Sequence, residues 1–413
     1  MNINATLAKL NVLVLSVAFA LLSSCKHDAT ETHTFHTTVP YYISAATARS
    51  LVSVAQTSRP ISAPGKIYTY GNYLFITEAG KGIHVVDNTN PVFPRFINFI
   101  NIPGNADLAI NSNILYADNY VDLVAFDISN PAHITQVKKV EDVFESFYYN
   151  KAKGLIMGYK DTLITQNNDH PIYFSPGINT ATSNSSSQSQ SYGTGGSTAR
   201  FTLMNSYLYT VDQSHLKLFD VKQADNPGFV SNINLGFGIE TIFPYQNKLF
   251  IGTTTGMQIY DASIPAAPAK LSTYAHFTSC DPVVVQGKYA YVTLRSGTTC
   301  ARGINELDVL NIEDAAHPVQ VSTFPMINPH GLTVSNANLF ICEGQSGLKA
   351  FDKTDVLNIG KNQLSFLTGF DAQDIIAGPK SLIVTGGNGI YQYDYSNPAD
   401  LKLISRIKLS SSL

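Results

Sequence analysis

The sequence predicts an all-β protein built as a single β-propeller of four-stranded blades. Three observations carry this. A short phrase recurs along the chain: alternating apolar residues, then Asp, then a polar turn with Asn or Pro. An apolar hairpin precedes each copy, and the copies recur about every 40 residues, the period of a propeller blade. No stretch of a dozen residues combines a helical apolar period with helix caps.

The phrase is anchored at Asp87, Asp127, Asp220, Asp261, Asn311, Asp352 and Asp394. Between Asp127 and Asp220 the phrase ends in Gln166 instead. The anchors are then spaced 40, 39, 54, 41, 50, 41 and 42 residues apart. The two long spacings hold visible insertions: a Ser-rich tract at about 178–198 and a loop over 295–304. Eight blades are favoured and seven are the alternative. The Gln166 unit is the least regular, because Gln is one methylene too long to close the turn as Asp or Asn does. The anchor side chain is expected to accept a hydrogen bond from the backbone two residues on. Hairpin turns centre on pairs such as Gly71-Asn72, Asn205-Ser206 and Gln286-Gly287, which tolerate positive φ.

The anchor phrases resemble the LVIVD repeat, a propeller-forming repeat of bacterial and archaeal surface proteins. The resemblance covers about residues 62–410. It implies the propeller fold and carries no activity of its own.

The first residues read as an address. Lys9 precedes an apolar run from Leu10 to Leu22, too short to span a bilayer and right for a secretory signal. It ends Leu22-Ser23-Ser24-Cys25, which resembles a bacterial lipobox. That resemblance implies cleavage before Cys25 and lipidation of its sulfur. Lys26 in place of Asp favours the outer membrane. The expected domains are a signal peptide over 1–24, lipidated Cys25 with a flexible tether over 25–48, and the propeller over 49–413. His27, His33 and His36 are expected to be solvated on the tether.

Composition excludes other classes. Charged residues are 14 % of the chain and apolar residues 44 %, so it is neither disordered nor a coiled coil. The formal net charge is −3, so no nucleic-acid partner is expected. Four Cys in 413 residues are too few for a disulfide scaffold. In an oxidising compartment Cys280 and Cys300 are expected to form a disulfide across the 295–304 loop. Cys342, beside Phe340 and Ile341, reads as a small buried hydrophobe.

Blade geometry gathers an acidic set on the face that carries the insertions. Asp107, Glu240, Asp281 and Asp374 enter inner strands. Glu78, Asp118, Asp212 and Glu343 leave second strands. Arg200, Arg295 and His330 take related positions. Converging carboxylates attract cations and raise one another's pKa. A set of this kind fits a ligand or partner face. It also fits, as the alternative, an envelope hydrolase or lyase acting with or without Ca²⁺. No catalytic residue, metal ligand or cofactor is assigned. The function expected is a binding or scaffold module. The expected partners are the membrane through the lipid, and an envelope protein, peptide or glycan.

Overall fold

Most of the inner hairpin turns hold one or two residues at positive φ: Gly71, Gln246, Gly287 and Asn336 singly, and two turns a pair. Ser112 and Asn113 lie at φ 49° and 64°, and Asn205 and Ser206 at 52° and 62°. These values suit the tight turns that match strand twist. The anchors close the next turn. Asp87, Asp127, Asp220, Asp261, Asn311, Asp352 and Asp394 each accept the N–H two residues on, at 2.8–3.0 Å.

The computed structural model describes residues 33–55, 57–146, 148–166, 194–275, 282–296 and 304–410. Cys25, Cys280, Asp281 and Cys300 lie outside them. So do the signal segment and most of the Ser-rich tract. Among the described residues, no helix is long and apolar enough to cross a membrane.

Two compact units divide the chain. The smaller takes its described residues from 33–42 and 156–166. It pairs strand His33–Ile43 with strand Gly154–Gln166. The residues expected to be a tether are therefore strand over His33–Ile43 and helix over Ala45–Ser50. The Ser44 hydroxyl caps that helix at the Thr47 N–H.

The larger unit is the propeller. Seven antiparallel sheets follow one plan, strands in sequence order from the axis outward. Their inner strands are Pro64–Tyr70, Leu108–Asn111, Phe201–Met204, Ile239–Tyr245, Val283–Gln286, Leu332–Ser335 and Asp374–Ala377. Consecutive inner strands pack on one another, and the last packs on the first. Leu108–Asn111 packs directly on Phe201–Met204. Among the described residues eight sheets thus form. The exposed point of the sequence count was the Gln166 unit, and there the plan changes. Its sheet has three strands, and the inner ring takes the count of seven.

In the propeller blades the second and third strands are buried on both faces, as in the unbroken apolar runs Leu123–Phe126 and Leu339–Cys342. This is why charge is scarce in the composition. The first blade has two further strands. Ser53–Ala55 covers its outer edge and Thr194–Gly195 its inner edge.

A ring of side-chain bonds ties each blade to the next. The accepting carbonyls belong to Pro131, Ala224, Pro265, Ala315, Val356, Pro398 and Pro91. All lie four residues after an anchor. The donors are Asn98, Tyr116, Tyr209, Ser272, Ser322, Ser365 and Ser405. In the blades that use Asn98, Ser272, Ser322, Ser365 and Ser405, the donor follows a β-bulge in the outer strand. A bulge re-aims a side chain, here toward the neighbouring turn.

Candidate functional site

The predicted acids stand where strand order places them, at the ends of second strands and the starts of inner strands. Glu78, Asp107, Glu343 and Asp374 are buried. Their oxygens are taken up by protein donors.

Glu78 ends a second strand. Its carboxylate accepts Arg59 at 2.9 Å, Lys81 at 2.9 Å, His84 Nε2 at 3.0 Å and the Ser62 hydroxyl. Burial alone would raise this carboxyl, but the bonds from Ser62, Lys81 and His84 outweigh it and hold it well below the usual range. Burial pushes His84 down. The Arg59 guanidinium lies 3.5 Å from the centre of the Phe99 ring.

Two other blades repeat the arrangement. Glu343 meets Lys349 at 2.5 Å and accepts the Ile327 and Asn328 amides at 2.9 and 2.6 Å. Asp212 lies 3.1 Å from Lys217 and accepts the Ser214 and His215 amides. The basic residues His84, Lys217 and Lys349 all stand three residues before an anchor. Sequence reasoning missed them. The signal was there: a basic residue inside an otherwise apolar strand.

Asp118 accepts Asn105, Ala106 and Asp107 groups at 2.9 Å, and burial raises its carboxyl. His330 is buried beside Arg295, Nε2 to Nη1 being 3.2 Å. Burial first, and the Arg295 charge second, push His330 down to about 4. Glu240 is half-buried at the start of its inner strand. Among the described residues, no cluster of three or more His, Cys, Asp or Glu side chains could hold a metal. Cys342 is fully buried.

The axis of the propeller is filled by the chain itself. Thr194–Gly195 pairs with Tyr68 and Thr69 of the first inner strand. The next residues, Gly196, Ser197, Thr198 and Ala199, are buried. The Ser197 hydroxyl accepts the Leu332 N–H at 2.5 Å, and the Ala199 carbonyl accepts the Ile242 N–H at 2.8 Å. Lys66 donates to the Thr198 carbonyl at 2.7 Å and to Asp107 Oδ2 at 3.3 Å. Asp107 Oδ2 also takes the Arg200 and Phe201 amides, at 2.5 and 3.2 Å. Asp374 receives the Ser197 and Thr198 hydroxyls at 3.4 and 3.3 Å. Blades on several sides of the axis therefore hold one short segment. The sequence reading found nothing in the Ser-rich tract to bury, and its last residues correct that. Small polar side chains pack well where inner strands crowd together.

Comparison with known proteins agrees with this architecture. Residues 65–100, 104–142 and 279–324 match the LVIVD repeat model. No curated protein matches the chain in sequence. Among solved structures, it is similar to the periplasmic gluconolactonase PpgL of Pseudomonas aeruginosa. The TM-score is 0.53 at 12 % identity, covering 84 % of this chain and 97 % of that one. It is also similar to the computationally designed Ika8 protein, at TM-score 0.51 and 10 % identity, covering 87 % and 91 %. Likeness at this identity speaks to fold alone. The chain carries LVIVD repeats, and they build a β-propeller.

Proposed function

We propose that this chain is an exported envelope lipoprotein, lipidated on Cys25, whose propeller serves as a binding or scaffold module. It acts through the face that bears the inserted loops, toward an envelope protein, peptide or glycan. One observation carries the reading. The acids on that face serve as loop scaffolding: Glu78, Asp107, Asp118 and Glu343 each accept several protein donors. Carboxylates used in this way fix loops for display, whereas a hydrolase or lyase needs at least one oxygen free for substrate or water.

Loops between blades present apolar tips, and Glu343 holds the Ile327 and Asn328 amides of one of them. Phe237 is 84 % exposed, between Gly236 and Gly238 at φ 87° and 82°. Ile327 is 49 % exposed in the corresponding connection between later blades. The test is co-purification of the full chain from detergent-solubilised membranes, with mass spectrometry of what it retains. Phe237→Ala with Ile327→Ala is expected to lower partner recovery about tenfold while the unfolding midpoint holds. Recovery equal to the parent's would reject this face.

A further inference from the structure

Asp107 and Asp374 both reach the axial segment, and their charges are met differently. Asp107 Oδ2 takes two backbone amides and the Lys66 ammonium. Asp374 takes two hydroxyls at 3.3–3.4 Å and the amides of Ile375 and Ser197. One buried lysine thus serves two buried carboxyls, and Asp374 is the odd acid. Arg200 on the segment is half-buried, and His330 precedes the adjoining inner strand. Asp371 lies just ahead of Asp374 in its own blade. Cys342 and Glu343 close the second strand of the blade before. Burial above all holds the Cys342 thiol protonated.

The seat is tight and polar. A Cβ at Gly196 would lie 2.0 Å from Asp374 Oδ2, and one at Gly331 2.5 Å from Oδ1. The carboxyl is clamped between two glycines. Ala199 alone gives the buried part of the segment an apolar side chain. Hydrogen bonding and fit hold it, with little hydrophobic burial to oppose release.

We propose that Thr194–Arg200 is a stopper of the axial channel, seated on protonated Asp374 and lifted as that carboxyl ionises. This inference stands apart from the identity of any partner. Its sign follows from burial. Burial pushes Asp374 up to about 7. The seated form keeps its proton between about pH 4 and pH 7, where a solvated carboxyl has lost it. Seating therefore weakens as pH rises through that window and is weakest above about 7.

Hydrogen exchange on the full chain tests this, at the Leu332 and Ile242 amides that donate to the segment. After correction for intrinsic rates, their protection is expected to fall about tenfold or more from pH 5 to pH 8. Amides in outer ladders should keep theirs. Asp374→Asn should flatten the difference. Equal protection at both pH values in the parent overturns the proposal, as does a fall that persists in Asp374→Asn. Should that variant not fold, Ser197→Ala gives a separate reading. It removes the Leu332 acceptor, so the Leu332 amide should exchange at pH 5 as fast as the parent's does at pH 8. Unchanged protection at pH 5 overturns the seat.

Discussion

The Ser405 hydroxyl donates to the Pro91 carbonyl at 2.5 Å, joining residues 314 positions apart. It closes the ring of turn contacts between the last blade and the first. The Asn88 and Gln392 amides pair beside it at 2.8–3.0 Å. Ser405→Ala removes the bond and leaves a half-buried carbonyl without that donor. The expected loss is about 1–2 kcal/mol, read as a lower midpoint in chemical denaturation. Ser322→Ala should cost a similar amount, because Ser322 makes the same bond to Val356 at another junction. A midpoint equal to the parent's in Ser405→Ala would refute a role in closure.

The anchors should tolerate Asn and not Ala. Asp127 Oδ1 accepts the Ser129 N–H at 2.8 Å, as Asn311 Oδ1 accepts Glu313 at 2.9 Å. Asp127→Asn keeps that acceptor. Asp127→Ala loses it and should cost about 1 kcal/mol, measured by equilibrium unfolding of the two variants side by side. Asp127→Ala as stable as Asp127→Asn would rule out the turn as the reason for the anchor.

The buried pair Glu343–Lys349 should show strong coupling. Removing one partner strands a charge away from water and costs about 3–5 kcal/mol. Glu343→Gln combined with Lys349→Met should cost clearly less than the two single changes added together. A double-mutant cycle reads this directly, and additive losses would contradict the pairing.

His330 makes stability depend on pH. Its imidazole is pushed down to about 4 by burial and by Arg295, so the folded state resists protonation. Its contribution is complete above about pH 6.5 and is lost as pH falls toward 4. The ring signals in a proton titration should stay those of the neutral form down to about pH 4. His330→Gln should flatten stability across that range. A titration midpoint near 6.5 would show an exposed ring.

Membrane association should depend on the Cys25 sulfur. Cys25→Ala is expected to release the chain into the soluble fraction and abolish lipid labelling, since stable anchoring needs acyl chains. Labelling that persists in this variant would exclude the lipid anchor.

Much of the fold was legible because its signals are local. Asp87, Asp127 and the other anchors act on an N–H two residues away, so the repeat announces each blade. The Gln166 unit shows where this stops. Its phrase looks like a repeat, but whether a sheet joins the ring depends on which inner strands pack together. The acids were legible as positions and not as roles. Glu343 reads as a strand-end carboxylate, and its burial against Lys349 depends on facing strands in register. Lys66 and Thr198 are 132 residues apart, and nothing local marks their hydrogen bond.

Alternation, turn residues and period alone determined an all-β chain of four-stranded units, because those choices concern neighbours along the backbone. The tertiary structure decided what those units enclose. The axis could have been an open channel lined by Asp107 and Asp374. It is filled by Gly196, Ser197, Thr198 and Ala199, because the inner strands converge on a space that small residues can enter with their polar groups paired. That outcome rests on long-range packing, which no local pattern encodes.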